Sequence, residues 1–247
     1  MQAETIPDAG AARALVDTVC GDAPVTVVVG HYGVGKTNLA LNLALACAAC
    51  GEQATVADLD LVNPYFRSSD YPQVLAQAGV RLAAPTFAGT TLDTPSLGGQ
   101  LFAEVERAVA EPGRRLVVDV GGDDAGAYAL GGYARALQGP GVRVLYVVNA
   151  FRNLTHEPAD AARVLREIEA ASHLSAHGVV NNSHLCDETA PRDVEEGRAW
   201  ARAVARELGL PLVATCVPAR LFETCYSRED GAEPCVAVGR YVSTPWQ

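Results

Sequence analysis

The sequence predicts an α/β fold, a doubly wound and mainly parallel sheet covered by helices. Three observations predict it. Short β-branched runs alternate with longer helical stretches, and strands separated by helices pair in parallel through right-handed crossovers. Several runs, such as Val25–Val29, are apolar without interruption, as in strands buried on both faces. Finally, 49% of the 247 residues are hydrophobic and only 19% charged, the balance of a chain with a sizeable interior and not of a disordered one.

The elements follow in order. Residues 1–23 read as an N-terminal helical extension. Val25–Val29 is the first strand, and residues 37–50 form a helix that is apolar nearly all round, hence interior. Residues 55–59 are the next strand, 80–84 a weaker one, and 97–110 a helix. Residues 116–120, Val142–Val148 and Gly178–Asn181 are further buried strands. Between the last two, Ala161, Leu165, Ile168 and Ala171 recur at helical spacing, as do Trp200, Val204 and Leu208 later. Gly209 ends that helix, and 210–215 gives a last strand. Residues 225–247, with Cys225, Gly231, Pro234, Cys235 and Pro245, form a tail with no readable pattern. With no repeat and no linker, residues 1–247 read as one domain.

Charge and composition exclude several classes. Nineteen Lys and Arg stand against twenty-nine Asp and Glu, a net charge of −10, which disfavours DNA as a partner. The longest uncharged apolar-rich run, 37–51, falls short of the roughly 20 residues of a bilayer helix and contains Asn38 and Asn42. The N-terminus has Glu4 and Asp8 and no basic, apolar start, so no secretory signal is expected. Seven cysteines, an odd and scattered count, read as reduced thiols and a cytoplasmic protein.

Gly30-His31-Tyr32-Gly33-Val34-Gly35-Lys36-Thr37 fits G-x-x-x-x-G-K-[ST] between a buried strand and a helix, the context a phosphate-binding loop requires. Glycines let backbone N–H groups turn inward onto phosphate oxygens, and the helix N-terminus adds its dipole. Lys36 reaches the β- and γ-phosphates, and the Thr37 hydroxyl is a Mg²⁺ ligand. Residues 116–118 then run apolar into Asp119, a pattern whose acid holds Mg²⁺ in such proteins. Asp58 and Asp60, at a strand end, alternate to the same side, where open α/β sheets bind ligands.

The loop, Asn42-Leu43-Ala44 and Asp58-Leu59-Asp60 resemble the MinD/ParA family of P-loop ATPases (SIMIBI class, the CobQ/CobB/MinD/ParA nucleotide-binding domain), over roughly residues 25 to 220. Family loops read G-K-G-G-x-G-K-[ST]. Here His31 replaces the signature lysine that reaches a dimer partner's nucleotide, Tyr32 replaces a glycine, and Asn38 replaces the usual Thr or Ser. His31 is either a part-time cation, with an ordinary pKa of about 6.5, or a residue that only shapes the loop. A homodimer is left open by these departures.

The resemblance implies further roles. Asp60 would orient the attacking water and Asp58 would stand in the outer shell of the metal. The 63–66 stretch with Arg67 would be the first switch loop, and Gly121-Gly122 the second. In Asn181-Asn182-Ser183, an asparagine would touch adenine, Asn182 in first place and Asn181 as the alternative. Pro218 would line the base pocket. The absence of an N-K-x-D signature tilts the base to adenine.

The expected function is therefore a Mg²⁺- and ATP-dependent ATPase with Lys36 and Asp60 as catalytic residues. Its nucleotide state would switch binding to a partner protein, such as an enzyme needing activation or a metallocentre needing maturation. The alternatives are an ATP-dependent phosphotransferase or ligase of the cobyrinate or dethiobiotin branch, and a weakly hydrolysing nucleotide-gated binding module. Cys47 and Cys50 form C-x-x-C but lie late in an apolar helix among alanines, where thiols pack. Cys225 and Cys235, in the tail, are the candidate metal ligands or oxidisable thiols. The tail has no basic amphipathic helix, which disfavours membrane docking.

Overall fold

The computed structural model describes residues 5–6, 8–60, 67–84, 97–152, 155–225 and 233–242. The chain begins with α1 (Ala9–Leu15), capped by the Asp8 carboxylate on the Ala11 N–H at 2.8 Å. It continues through a π-helical turn, Val16–Cys20, into β1 (Val25–Val29). All five β1 residues are buried. Next comes α2 (Lys36–Ala49), which buries Leu39, Leu41 and Leu43 as well as Asn42, the all-round burial its composition predicts. β2 (Gln53–Leu59), α3 (Pro72–Gln77), β3 (Arg81–Ala83), α4 (Gly99–Ala110) and β4 (Arg114–Val120) follow. Then come α5 (Asp124–Gly131), α6 (Ala134–Leu137), β5 (Val142–Val148), α7 (Pro158–Ser172) and β6 (Gly178–Asn181). α8 (Pro191–Leu208), β7 (Leu212–Pro218), α9 (Phe222–Cys225) and β8 (Cys235–Val238) complete the order.

The strands form one sheet in the order β3-β2-β4-β1-β5-β6-β7-β8, and every paired neighbour is parallel. The sheet is covered on both faces. Val25, Val27 and Val29 of β1 pack into the cluster that holds Leu101 of α4, Leu130 of α5 and Leu165 of α7. Val28 turns the other way, to Leu15 of α1 and Leu39 and Leu43 of α2. Strand alternation thus feeds two cores, which is why β1 reads as a continuous apolar run. No described helix is long and apolar enough to cross a membrane.

Several strand boundaries differ from expectation: β2 begins at Gln53, β3 covers only Arg81–Ala83, and β7 runs on to Pro218. β4 begins two residues earlier, because Arg115 is satisfied there by Glu52 and by the carbonyls of Gly21 and Ala23. β7 begins at Leu212, since Pro211 has no N–H to donate, although its carbonyl accepts from Val179 N–H at 2.9 Å. β8 lies in the tail that gave no pattern: four small apolar residues, all buried, paired with β7 from Thr215–Cys235 to Pro218–Val238. The 63–66 stretch read as a first switch loop, and Gly231 and Pro245, lie outside the described residues.

The strand order places the site. The chain leaves β1 toward β2 on one side of the sheet and leaves β5 toward β6 on the other, although β1 and β5 are neighbours. Connections that diverge from adjacent strands open a crevice at their carboxyl ends. The 30–37 loop enters that crevice after β1, and residues 149–152 enter it after β5.

Candidate functional site

A cavity of about 290 Å³ opens at the carboxyl ends of the strands. Tyr32, Gly33, Gly35, Lys36, Thr37 and Asn38 form one wall, and Asp60 and Gly122 lie at the same end. Pro218, Val238, Gly239 and Arg240 contribute the far wall. The loop between β1 and α2 curls because its glycines permit it. Gly35 has φ 88°, and a Cβ there would collide with the Asn182 amide. Asn182 Nδ2 donates to the Val34 carbonyl at 2.8 Å, so Asn182 both lines the cavity and braces the loop.

Lys36 is buried at the loop's base, with Nζ donating to the His31 carbonyl at 2.9 Å. Burial lowers its pKa to about 8, while the charges of Asp119, Asp60 and Asp123 pull the other way. His31 also lies below its ordinary value, because it is partly buried and stands near Lys36. Its Nδ1 accepts the Tyr32 N–H. His31 is thus a neutral ring folded onto its own loop.

Behind the cavity lie the carboxylates. Asp58 accepts from the backbone N–H groups of Asp60 at 2.9 Å and Ser69 at 3.0 Å. Asp119 accepts from Ser68 Oγ at 2.5 Å and from the Thr37 hydroxyl. Burial, and next the charge of Asp58, push Asp119 up to about 7. Asp58 is also raised, chiefly by burial. Asp60 is buried and reaches the cavity.

The expected residues divide as follows. His31 and Val34 belong to the loop, but neither lines the cavity, as Gly30 does not; Val34 contributes a carbonyl to Asn182. Asn38 lines the cavity, yet its amide is engaged elsewhere. Nδ2 donates to Gly239 O at 2.8 Å, and Oδ1 accepts from Tyr241 and Val242 N–H. Gly122 lines the cavity, whereas Gly121 packs against Asp60 beside it. Asn181 faces away: its Oδ1 accepts from Ser183 and its Nδ2 donates to Thr215 Oγ1. Of the two asparagines, Asn182 alone meets the cavity. Arg67 is not among the lining residues; its backbone N–H donates to the Asp70 carboxylate, and its Nε is buried without a partner among the described residues.

Several site residues carried no motif in the sequence. Arg152 and His184 line the cavity from the ends of β5 and β6. The 238–242 segment closes the far wall, tied to α2 by Asn38 and Asn42. Ser68 and Ser69 support the carboxylates. All seven cysteines are free, and Cys225 and Cys235 pack with Val194 and Val217. Among the described residues, no group of three or more His, Cys, Asp or Glu side chains is arranged to hold a metal.

The sequence matches no family model and no curated relative. Solved structures do match. The chain is similar to the cell division protein FtsY of Thermotoga maritima, at 17% identity and a TM-score of 0.53, covering 81% of this chain and 67% of that one. It is similar to the signal recognition particle 54 kDa protein of Aeropyrum pernix in complex with GDP, at 16% identity and 0.53, covering 83% and 46%. It is also similar to FtsY of Mycoplasma mycoides, at 16% identity and 0.52, covering 76% and 58%. This is the P-loop NTPase fold. The chain spans between about half and two thirds of the length of these proteins.

Proposed function

We propose that this chain is a Mg²⁺-dependent ATPase whose nucleotide state governs its affinity for a partner protein. One observation carries the reading. A buried lysine, its pKa lowered by burial, stands at the end of a cavity bounded by a glycine-rich loop, a helix N-terminus and Asp60. An entering anion favours the charged form of such a group, and a phosphate chain supplies both the charge and acceptors for the loop amides.

The donor set suits Mg²⁺. Thr37 and Asp119 offer hard oxygen ligands, and the crowding of Asp58 against Asp119 is relieved by a cation. With no protein-only cage among the described residues, the remaining ligands would be phosphate oxygens and water. Held by Thr37 and Asp119, Mg²⁺ would neutralise negative charge on the phosphate chain. Lys36 holds the terminal phosphates, and Asp60 orients a water for in-line attack on the γ-phosphorus. The bond from that phosphorus to the bridging oxygen breaks. ADP and inorganic phosphate leave, with the water's proton released. Gly122, pressed against Tyr32 and Lys36, is placed to feel the loss of the γ-phosphate, and loops that relax on hydrolysis alter partner binding.

Adenine is favoured over guanine by the charges around the cavity. Guanine presents adjacent N–H donors that a carboxylate pairs well. Among the lining carboxylates, Asp60 is at the phosphate end and Asp187 is engaged by Arg240. The structural neighbour that holds GDP favours guanine instead. Calorimetric titration of the wild type with MgATP and with MgGTP tests the base, and tighter GTP binding reverses it. Lys36→Ala should bind neither nucleotide, and full ADP release by that variant removes the reading. ADP release by the wild type only on adding a small-molecule acceptor would favour the phosphotransferase or ligase alternative.

A further inference from the structure

The cavity holds three cations, and two of them are engaged. Lys36 donates into its own loop, and Arg240 is ion-paired with Asp187. Arg152 is different. Its Nε is buried and has no hydrogen-bond partner among the described residues. Its guanidinium lies over the phosphate loop, with Cζ, Nε and Nη1 at 3.5, 3.6 and 3.7 Å from where a Cβ on Gly33 would stand. It arrives from the end of β5, on the strand next to β1, at the crevice where the connections diverge. His31, the other basic group on the loop, is folded back onto Tyr32 N–H.

A guanidinium with a buried, unpaired N–H is a costly arrangement unless an anion completes it. The loop beneath it is curled by positive φ at Gly33 and Gly35, the backbone form that lets amides meet phosphate oxygens. Gly33 adjoins Tyr32, and Gly122 lies against both Tyr32 and Lys36 Nζ, at the end where the γ-phosphate would lie. An arginine fork matches phosphate oxygens two at a time, which a lysine cannot do.

We propose that Arg152 binds the terminal phosphate of the nucleotide held by its own chain, as a second fixed cation supplied in cis. This rests on the nucleotide reading above. It adds that charge stabilisation during hydrolysis needs no residue from a second copy. As the γ-phosphate leaves the β,γ-bridging oxygen, Arg152 and Lys36 hold the charge from two sides.

The test compares wild type and Arg152→Ala for binding of ADP and of a non-hydrolysable ATP analogue, each with Mg²⁺. Arg152→Ala should keep its ADP affinity within about twofold while losing about tenfold or more in preference for the triphosphate. Retained ADP affinity also reports that the variant is folded. Arg152→Lys should recover only part of the loss. An unchanged triphosphate preference in Arg152→Ala overturns the proposal and leaves the nucleotide reading standing. A wild type that binds neither nucleotide overturns both. Mixing Arg152→Ala with Lys36→Ala chains asks where the cation acts. No recovery of turnover is expected, and recovery would mean that Arg152 serves the partner's nucleotide.

Discussion

Asp58 and Asp119 stand opposite each other in register on the neighbouring parallel strands β2 and β4, and both are buried. Burial in the dry sheet, and next the charge of Asp58 on the same face, raise Asp119 to about 7. Its folded value exceeds the unfolded 3.8, so its contribution to stability is complete below about pH 4 and is lost as pH rises through 7. Asp119→Asn should therefore be more stable than wild type at pH 8, on the order of 2 to 4 kcal/mol, with the gap closing near pH 4. Urea denaturation at both pH values measures it. The same variant should lose Mg²⁺-dependent nucleotide binding, and a variant no more stable than wild type at pH 8 would mean the pair is not strained.

Asn42 is wholly buried and holds Gly239 from both sides. Its Nδ2 donates to Gly239 O at 2.9 Å, and its Oδ1 accepts the Gly239 N–H at 2.7 Å. Asn42→Ala strands the Gly239 N–H, while Gly239 O keeps its bond from Asn38 Nδ2, and should cost about 1 to 3 kcal/mol in denaturant unfolding. Nucleotide affinity should fall as well, because Gly239 and Arg240 wall the cavity. A variant as stable as wild type would mean that water replaces the amide.

Gly122 has no room for a side chain: a Cβ would stand 2.6 Å from Tyr32 N and Cα and 2.7 Å from Lys36 Nζ. The backbone on both sides must shift to admit one. Gly122→Ala is expected to lower triphosphate affinity about tenfold or more while the chain still folds. Gly99, at the start of α4, has nothing among the described residues within 4 Å of its Cβ position, so Gly99→Ala is the matched control and should leave binding unchanged.

The fold and half of the site were legible because both are written locally. A continuous apolar run, a glycine loop with its lysine and an acid ending a strand each occupy a few consecutive residues. Lys36, Thr37, Asp60 and Gly122 do meet the cavity, and Asp119 stands just behind it. What escaped depends on distant pairing. β8 has four small apolar residues and becomes a strand only because β7 offers an open edge. Asn38 and Asn42 read as ordinary helix residues, yet their partners lie about 200 positions away. Arg152 sits in a loop with no motif, and only the adjacency of β5 to β1 carries it to Gly33.

His184 gives the last expectation. Its ring lines the cavity with Nε2 toward Gly35 and Nδ1 accepting the Cys186 N–H. Burial, and next the facing charges of Arg152 and Arg240, lower its pKa to about 4. The folded value lies below the unfolded 6.5, so between pH 6.5 and 4 the unfolded chain binds more protons. Stability must then fall as pH drops through that window. His184→Gln should remove this part of the loss, on the order of 2 kcal/mol at pH 4.5, and match wild type above pH 7. Asp119 contributes with the opposite sign over much of the same range, and taking the difference between variant and wild type cancels it. Urea unfolding at half-unit steps from pH 4.5 to 7.5 provides the curves. A bound triphosphate offsets both arginines and so should blunt the wild-type slope. A difference that stays constant across the window would remove His184 as its origin.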